Sequence, residues 1–385
     1  MGFPKDNTTR MKLNFALFNY FPFGGLQRDF LKTAIECHKQ GYSITVYTTQ
    51  WKGLRPTEFD IHIIPMRGSA NHQRMDNFQA EIARIKKVTP DIAMVGFNKM
   101  AGLDVYFASD TCFMEKAHSE RSILYRLMPR YKIYQRMEHA VFKKDAKTMI
   151  LTLTEKQQQN FQSYYQTQKE RFKLLPPGIN RNTFIADSDF IRSQYRKTFN
   201  IPKHNMVLLF IGSSFSTKGL NRCILALGSL PEEKKQKTTL LVVGGDKSTQ
   251  FKRQAKRLNI DNRIIFVGAR EDIAKIMICA DLLIHPAYTE SAGMVLVEAL
   301  AAGLPVLVTE NCGYAFHIKK AEAGVVIPVP FEQKQLNQIL SEMLDSPKKN
   351  QWREKAIQYA DKTDLYSLHK HAAQLIIDQA KKLKA

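Results

Sequence analysis

No run in this chain approaches the length of about 18 consecutive apolar residues that a bilayer-crossing helix needs, so the sequence offers no candidate transmembrane span. Its five cysteines, Cys37, Cys112, Cys223, Cys279 and Cys312, are odd in number and follow neither a zinc spacing nor a disulfide framework. A reduced, cytosolic protein is the expectation. Acidic residues are scarce, 36 against 57 Lys and Arg, which leaves a formal charge of +21. That excess favours an anionic partner, whether nucleic acid, an anionic membrane surface or a phosphorylated substrate, and does not choose among them. Solenoid repeats, low-complexity tracts and the apolar core of a signal peptide are also missing. Residues 1–10 are polar and read as a disordered extension ahead of the first strand.

What the chain does have is length and rhythm. At 385 residues it is too long for one ordinary core and predicts two domains. Short apolar runs alternate with helical patterns throughout, the signature of α/β architecture with mostly parallel sheets. Strands are expected at Leu13–Phe18, Ile44–Tyr47, Ile61–Pro65, Ile92–Gly96, Val105–Ala108 and Met149–Thr152, with a helix at Leu26–Lys39 closed by Gly41. Leu174-Leu-Pro-Pro-Gly-Ile179 breaks the pattern, since neither helix nor strand continues through it. A second series follows at Val207–Ile211, Leu240–Val243, Ile264–Val267, Leu282–His285, Val306–Val308 and Val325–Ile327. Two Rossmann-like domains, 11–172 and 173–364, are the economical reading, with a final helix within 365–385 packing back on the first.

The most informative stretch is Glu290-Ser-Ala-Gly-Met-Val-Leu-Val-Glu298, between a strand-like run and a helical one. If Gly293 opens the helix, a rise of about 1.5 Å per residue sets the two carboxylates roughly 10–12 Å apart, too far to act as one acid/base pair. They suit the two ends of an elongated polar ligand, with the free N–H groups of the helix N-terminus between them for its phosphates. On spacing alone, two incidental acids on a buried helix are the more ordinary reading. Gly303-Leu-Pro-Val-Leu-Val308 then favours the ligand, because it makes the segment part of a parallel sheet, where ligands sit beyond the carboxyl ends of strands.

Four other segments bear on a possible function. Phe21-Pro-Phe-Gly24-Gly25-Leu-Gln-Arg-Asp29 follows the first strand; its glycines allow close backbone approach to an anion, though they also fit a plain tight turn and do not make a dinucleotide fingerprint. Lys218-Gly219 enters a helix after Ile211-Gly-Ser-Ser-Phe-Ser-Thr, where a lysine either pairs with a diphosphate or is merely solvated; the spaced glycines of a Walker motif are missing. Asp187-Ser-Asp189 is a literal D-x-D but reads better as a helix N-cap than as a metal site. Between Lys116 and Lys147 basic residues (Arg121, Arg126, Arg130, Lys132, Arg136) interleave with Tyr125, Tyr131 and Tyr134, as an interfacial segment resting on anionic lipid requires; a solvated helix face is the alternative.

Taken together, Tyr20-Phe-Pro-Phe-Gly-Gly-Leu-Gln-Arg-Asp-Phe30, Val95-Gly-Phe-Asn-Lys-Met100, Gly102-Leu-Asp-Val-Tyr-Phe107, Leu175-Pro-Pro-Gly-Ile179, His285-Pro-Ala-Tyr288 and the E-x7-E segment make the chain resemble, from Met11 onward, the retaining glycosyltransferases of GT-B fold. Among these it looks most like the lipopolysaccharide core glucosyltransferases. The resemblance implies two Rossmann-like domains facing across a donor/acceptor cleft, UDP-glucose as donor, an inner-core heptose of lipopolysaccharide as acceptor, no metal, no nucleic acid, and a peripheral place on the cytoplasmic face of the inner membrane. It further implies that Glu298 binds the donor ribose, that Glu290 lies beside the transferred sugar with the backbone N–H groups of Ala292, Gly293 and Met294 there, and that Lys218 binds the diphosphate. Gly24 and Gly25 would lie near the diphosphate and sugar, and Asp110 near the glucose hydroxyls. Where many relatives place an arginine before this lysine, the chain has Ser213-Ser214, and Arg181 is the candidate for the second positive charge. A related transferase with another nucleotide sugar or lipid-linked acceptor is the runner-up, and a basic nucleic-acid-binding protein the rival from another class.

Overall fold

The structure, a computed structural model, describes residues 11–22, 24–119, 121–183 and 189–384. The expected 1–10 extension and Asp187 lie outside the described residues. The chain forms two compact units, Met1–Pro176 with Ser367–Ala385, and Pro177–Tyr366.

The first unit contains β1 (Lys12–Ala16), β2 (Asn19–Tyr20), β3 (Ser43–Thr48), β4 (Gln50–Trp51), β5 (Phe59–Ile63), β6 (Ala93–Gly96), β7 (Val105–Ala108), β8 (Met149–Thr152) and β9 (Phe172–Leu174). Its helices are α1 (Gly25–Lys39), α2 (Asn71–Val88), α3 (Phe113–Ser119), α4 (Pro129–Phe142) and α5 (Glu155–Tyr165). Seven strands form one parallel sheet in the order β5-β3-β1-β6-β7-β8-β9. The central strands read as unbroken apolar runs because helices cover both faces, and β6 and β7 are buried at every position. Successive strands move outward on one side of β1 and then on the other, so the order reverses between β1 and β6. Helix α1 ends beside Gly41, whose φ of +89° an L side chain resists.

The second unit contains α6 (Asp189–Thr198), β10 (Met206–Ile211), α7 (Leu220–Gly228), α8 (Glu232–Gln236), β11 (Thr238–Val243), α9 (Thr249–Arg257), β12 (Ile264–Gly268), α10 (Ile273–Cys279), β13 (Leu282–His285), α11 (Met294–Ala301), β14 (Val306–Thr309), α12 (Ala315–Ala321), β15 (Gly324–Ile327), α13 (Gln333–Asp345) and α14 (Lys349–Lys362). Its sheet is parallel with order β12-β11-β10-β13-β14-β15, the doubly wound pattern whose reversal lies between β10 and β13. Asp189 is the first residue of α6, so half of the D-x-D is helical.

The last helix, α15 (Leu368–Lys382), belongs to the first unit and packs on α1. It buries Leu368, Ala372, Ala373, Ile376, Ile377 and Ala380, and His369 Nε2 meets Asp29 of α1 at 3.0 Å. The mixed α/β architecture with two parallel sheets is the one the alternating pattern predicts.

Candidate active site

In a doubly wound sheet the loops after the two strands that flank the reversal diverge to opposite faces and leave a crevice at the carboxyl edge. In the second unit these are the loops after β10 and β13. Lys218 lies in the first and Glu290 in the second, and their side chains form an ion pair. Both side chains are largely withdrawn from solvent, Lys218 at 18% and Glu290 at 16% exposure, so the pair is little screened. His285, the last residue of β13, approaches the same Glu290 oxygen with Nε2 at 3.5 Å, a close electrostatic contact rather than a hydrogen bond. Among the described residues both ring nitrogens of this buried histidine lack a hydrogen-bond partner. Burial alone would raise the Glu290 carboxyl, but the His285 contact and the Lys218 ammonium outweigh it and hold the group at about 2. It is a fixed anion at any working pH.

The loops are locked together by backbone. Gly219 has φ +79°, and a Cβ there would sit 2.1 Å from the Pro286 carbonyl oxygen, so only glycine lets the β10 loop pass so close to the β13 loop. The Tyr288 amide donates to the Thr217 carbonyl at 2.9 Å. Arg222 donates to the Pro286 carbonyl at 3.0 Å, with its guanidinium 3.6 Å from the ring centroids of both Tyr288 and Phe331. On the other side the Gly313 amide donates to the Glu290 carbonyl at 3.1 Å and the Tyr314 amide to that of Ala292 at 2.7 Å. Gly293, at φ +91°, is the N-cap of α11, and no side chain caps the helix at that residue. Met294 is therefore the first helical residue and Glu298 lies one turn on, in the same helix as the uncapped amides.

The first unit carries its own set at the carboxyl ends of β1, β6 and β7. Gly24 is the N-cap of α1, again without a side-chain cap, and Gly25 begins the helix. A Cβ on Gly24 would collide with the Gln27 side chain, 1.8 Å from its Oε1, whereas one on Gly25 would meet nothing within 4 Å. The Phe18 amide donates to Asn98 Oδ1 at 2.8 Å and so ties the loop after β1 to the loop after β6. Asp110 follows β7 and its side chain is exposed.

Arg181 contacts other side chains of the second unit. Its guanidinium lies 3.6 Å from Asp361 and 5.0 Å from the ring centroid of Tyr366, at an exposed place. Among the described residues no group of three or more His, Cys, Asp or Glu side chains could hold a metal ion. Two participants escaped sequence reasoning. His285 stands out in the sequence only within His285-Pro-Ala-Tyr288, and Arg222 gives no signal, because its aromatic sandwich joins residues more than 60 positions apart.

A family model described as glycosyl transferases group 1 matches residues 191–363. The chain is 45% identical over 368 residues to the lipopolysaccharide glucosyltransferase WaaG of Escherichia coli K12, covering 95% of this chain and 98% of that one. A crystal structure of WaaG, a glycosyltransferase involved in lipopolysaccharide biosynthesis, superposes with TM-score 0.89 at 44% identity over 94% of this chain and 99% of that one. At 18% identity, likeness of fold alone extends to Anabaena Alr3699/HepE in complex with UDP and glucose, with TM-score 0.74 over 97% of this chain and 100% of the other.

Proposed function

Because the chain belongs to the glycosyl transferases group 1 family, we propose that it moves glucose from UDP-glucose to an inner-core heptose of lipopolysaccharide, with retention at the anomeric carbon. The observation that carries the reading is the Lys218–Glu290 pair at the strand reversal of the second unit, in a chain alike over nearly its whole length to a lipopolysaccharide glucosyltransferase. A diphosphate leaving group gains negative charge as its bond to the sugar breaks, and a lysine held in a water-poor crevice stabilises that charge more than water does. Uncapped amides of Gly293 and Met294 favour the same anion. Glu290, ionised and fixed, suits a place beside the transferred sugar, and Glu298 the donor ribose. Gly24, Gly25 and Asp110 supply the first unit's contacts to diphosphate and sugar. The step runs on these groups without a metal.

The protein rests on an anionic membrane surface through α3, the 3-10 turn Ile123–Leu127 and α4, which replace the single stretch expected from the sequence. Supporting this, Ile123, Leu124 and Leu127 are each about 70% exposed beside exposed Arg121, Arg130 and Lys132. The tyrosines turn inward instead: Tyr125 and Tyr131 pack against Phe113. No described helix is long and apolar enough to cross a membrane.

The test is to offer UDP-glucose and UDP-galactose separately, with lipopolysaccharide truncated to its inner core, and to follow UDP release and product linkage. Release with UDP-glucose and an α-linked product is expected. Transfer from UDP-galactose alone, or a β-linked product, would refute the donor or the retention.

A further inference from the structure

The loop after β7 carries Asp110, and side chains from elsewhere in the first unit hold its backbone. Gln157 of α5 donates to the carbonyls of Ala108 and Asp110 at 2.8 and 2.7 Å. Lys99, in the loop after β6, donates to the Thr111 carbonyl at 2.7 Å. Glu138 of α4, wholly buried, accepts from the amides of Phe113 and Met114 at 2.7 and 3.0 Å, from the Tyr165 hydroxyl at 2.8 Å and from Lys99 at 2.6 Å. Cys112 Sγ stands 3.5 Å from the same carboxylate.

Taking a carboxylate out of water costs several kcal/mol unless charge and hydrogen bonds replace its hydration, and these donors do so. Burial pushes the Glu138 carboxyl up, yet Lys99 and the two amides leave it below its ordinary value. Burial pushes Lys99 down, and the charges of Glu138 and Asp110 leave it raised. The pair therefore stays ionised. The Asp110 carboxylate, by contrast, is exposed and among the described residues makes no hydrogen bond or ion pair. A loop this firmly held around one free carboxylate is the design of a group kept ready for a ligand.

We infer that Lys99 and Glu138 are positioning residues that fix the β7 loop against α4, so that Asp110 meets the donor sugar only while this buried pair is intact. The inference rests on the assignment of Asp110 to the glucose hydroxyls. Neither residue touches substrate; both act through Asp110.

Glu138→Gln, which keeps shape and loses charge, is to be compared in the wild-type and Asp110→Ala backgrounds for kcat and KM, with UDP binding by calorimetry as the probe of the second unit. Glu138→Gln should lower kcat by about tenfold or more alone, and by less than about twofold once Asp110 is already alanine, while the Kd for UDP stays unchanged. Equal losses in both backgrounds, with Asp110→Ala itself slow, would overturn the positioning role and leave the Asp110 assignment standing. Full turnover in Asp110→Ala would overturn the assignment and the inference with it. If Glu138→Gln shows no thermal transition, Lys99→Met/Glu138→Leu, which removes both charges and leaves neither unpaired, carries the same comparison.

Discussion

Lys218 pairs with Glu290 across the strand reversal of the second unit, although the diphosphate and the transferred sugar are the partners proposed for them. The two groups neutralise each other until a donor arrives. A diphosphate must compete with the Glu290 carboxylate for the ammonium, and His285 is the partner left to Glu290 when it succeeds.

Removing the lysine exposes that competition. Lys218→Ala should lower kcat at least about tenfold, because one preorganised partner of a developing charge is worth roughly 2–4 kcal/mol. EDTA should leave wild-type activity intact. A strict requirement for added Mg²⁺ or Mn²⁺ would contradict the metal-free step.

The two acids should separate kinetically. Glu298→Ala is expected to raise KM for UDP-glucose with little change in kcat, since a ribose contact is the same in ground and transition states. Glu290→Ala should mainly lower kcat. Identical kinetic profiles for the two variants would rule out this division.

Glu290 also sets a pH dependence of stability. Its carboxyl, held at about 2, lies below the ordinary 4.5, so the folded state binds this proton less readily than the unfolded chain. Its contribution is present above the ordinary value and is lost as pH falls toward 2. Melting temperature between roughly pH 5 and pH 3 should fall less steeply in Glu290→Gln than in the wild type. Parallel slopes would show that the pair contributes nothing.

Gly219→Ala places a methyl against the Pro286 carbonyl at a positive φ. Strain at such a site costs of order 1–3 kcal/mol before the clash is relieved. A fall of several degrees in Tm is expected, with weaker UDP binding because the loop that carries Lys218 must move. An unchanged Tm would mean that the β13 loop yields freely.

Vesicle sedimentation tests the membrane face. The protein should pellet with anionic vesicles and not with neutral ones, and salt should release it. With each surface cation worth about 1 kcal/mol, replacing the exposed Arg121, Arg130 and Lys132 by Gln should release most of it. Retention of the triple variant would assign the segment to packing.

Much of this was legible in the chain, and the reasons are local. Buried parallel strands read as apolar runs, which is why β3, β7, β8, β10, β13 and β14 fall where the pattern predicts, within a residue. The expected Ile61–Pro65 strand is instead Phe59–Ile63, because β5 is an edge strand with exposed positions and a weaker apolar signal. Strands β2, β4 and β9 are two or three residues long and leave no periodicity to detect. At the site, glycine at 219 and 293 and the charges at 218 and 290 were visible as residue types. Their mutual pairing was not, since nothing in a one-dimensional pattern says that side chains 72 positions apart meet across a sheet reversal rather than facing a ligand separately. The Lys99–Glu138 pair, buried in a predominantly apolar unit, was hidden for the same reason.

The docking of α15 on α1 has a consequence for biosynthesis. The first unit is begun by the earliest residues of its sheet, yet one of its walls follows the entire second unit in the chain. During synthesis the second unit can close as soon as it has emerged, while the first waits with the α1 surface around Asp29 unshielded until α15 arrives. The order of completion on the ribosome is thus the reverse of the order of translation, and a chain cut short before Leu368 would leave its older half unfinished.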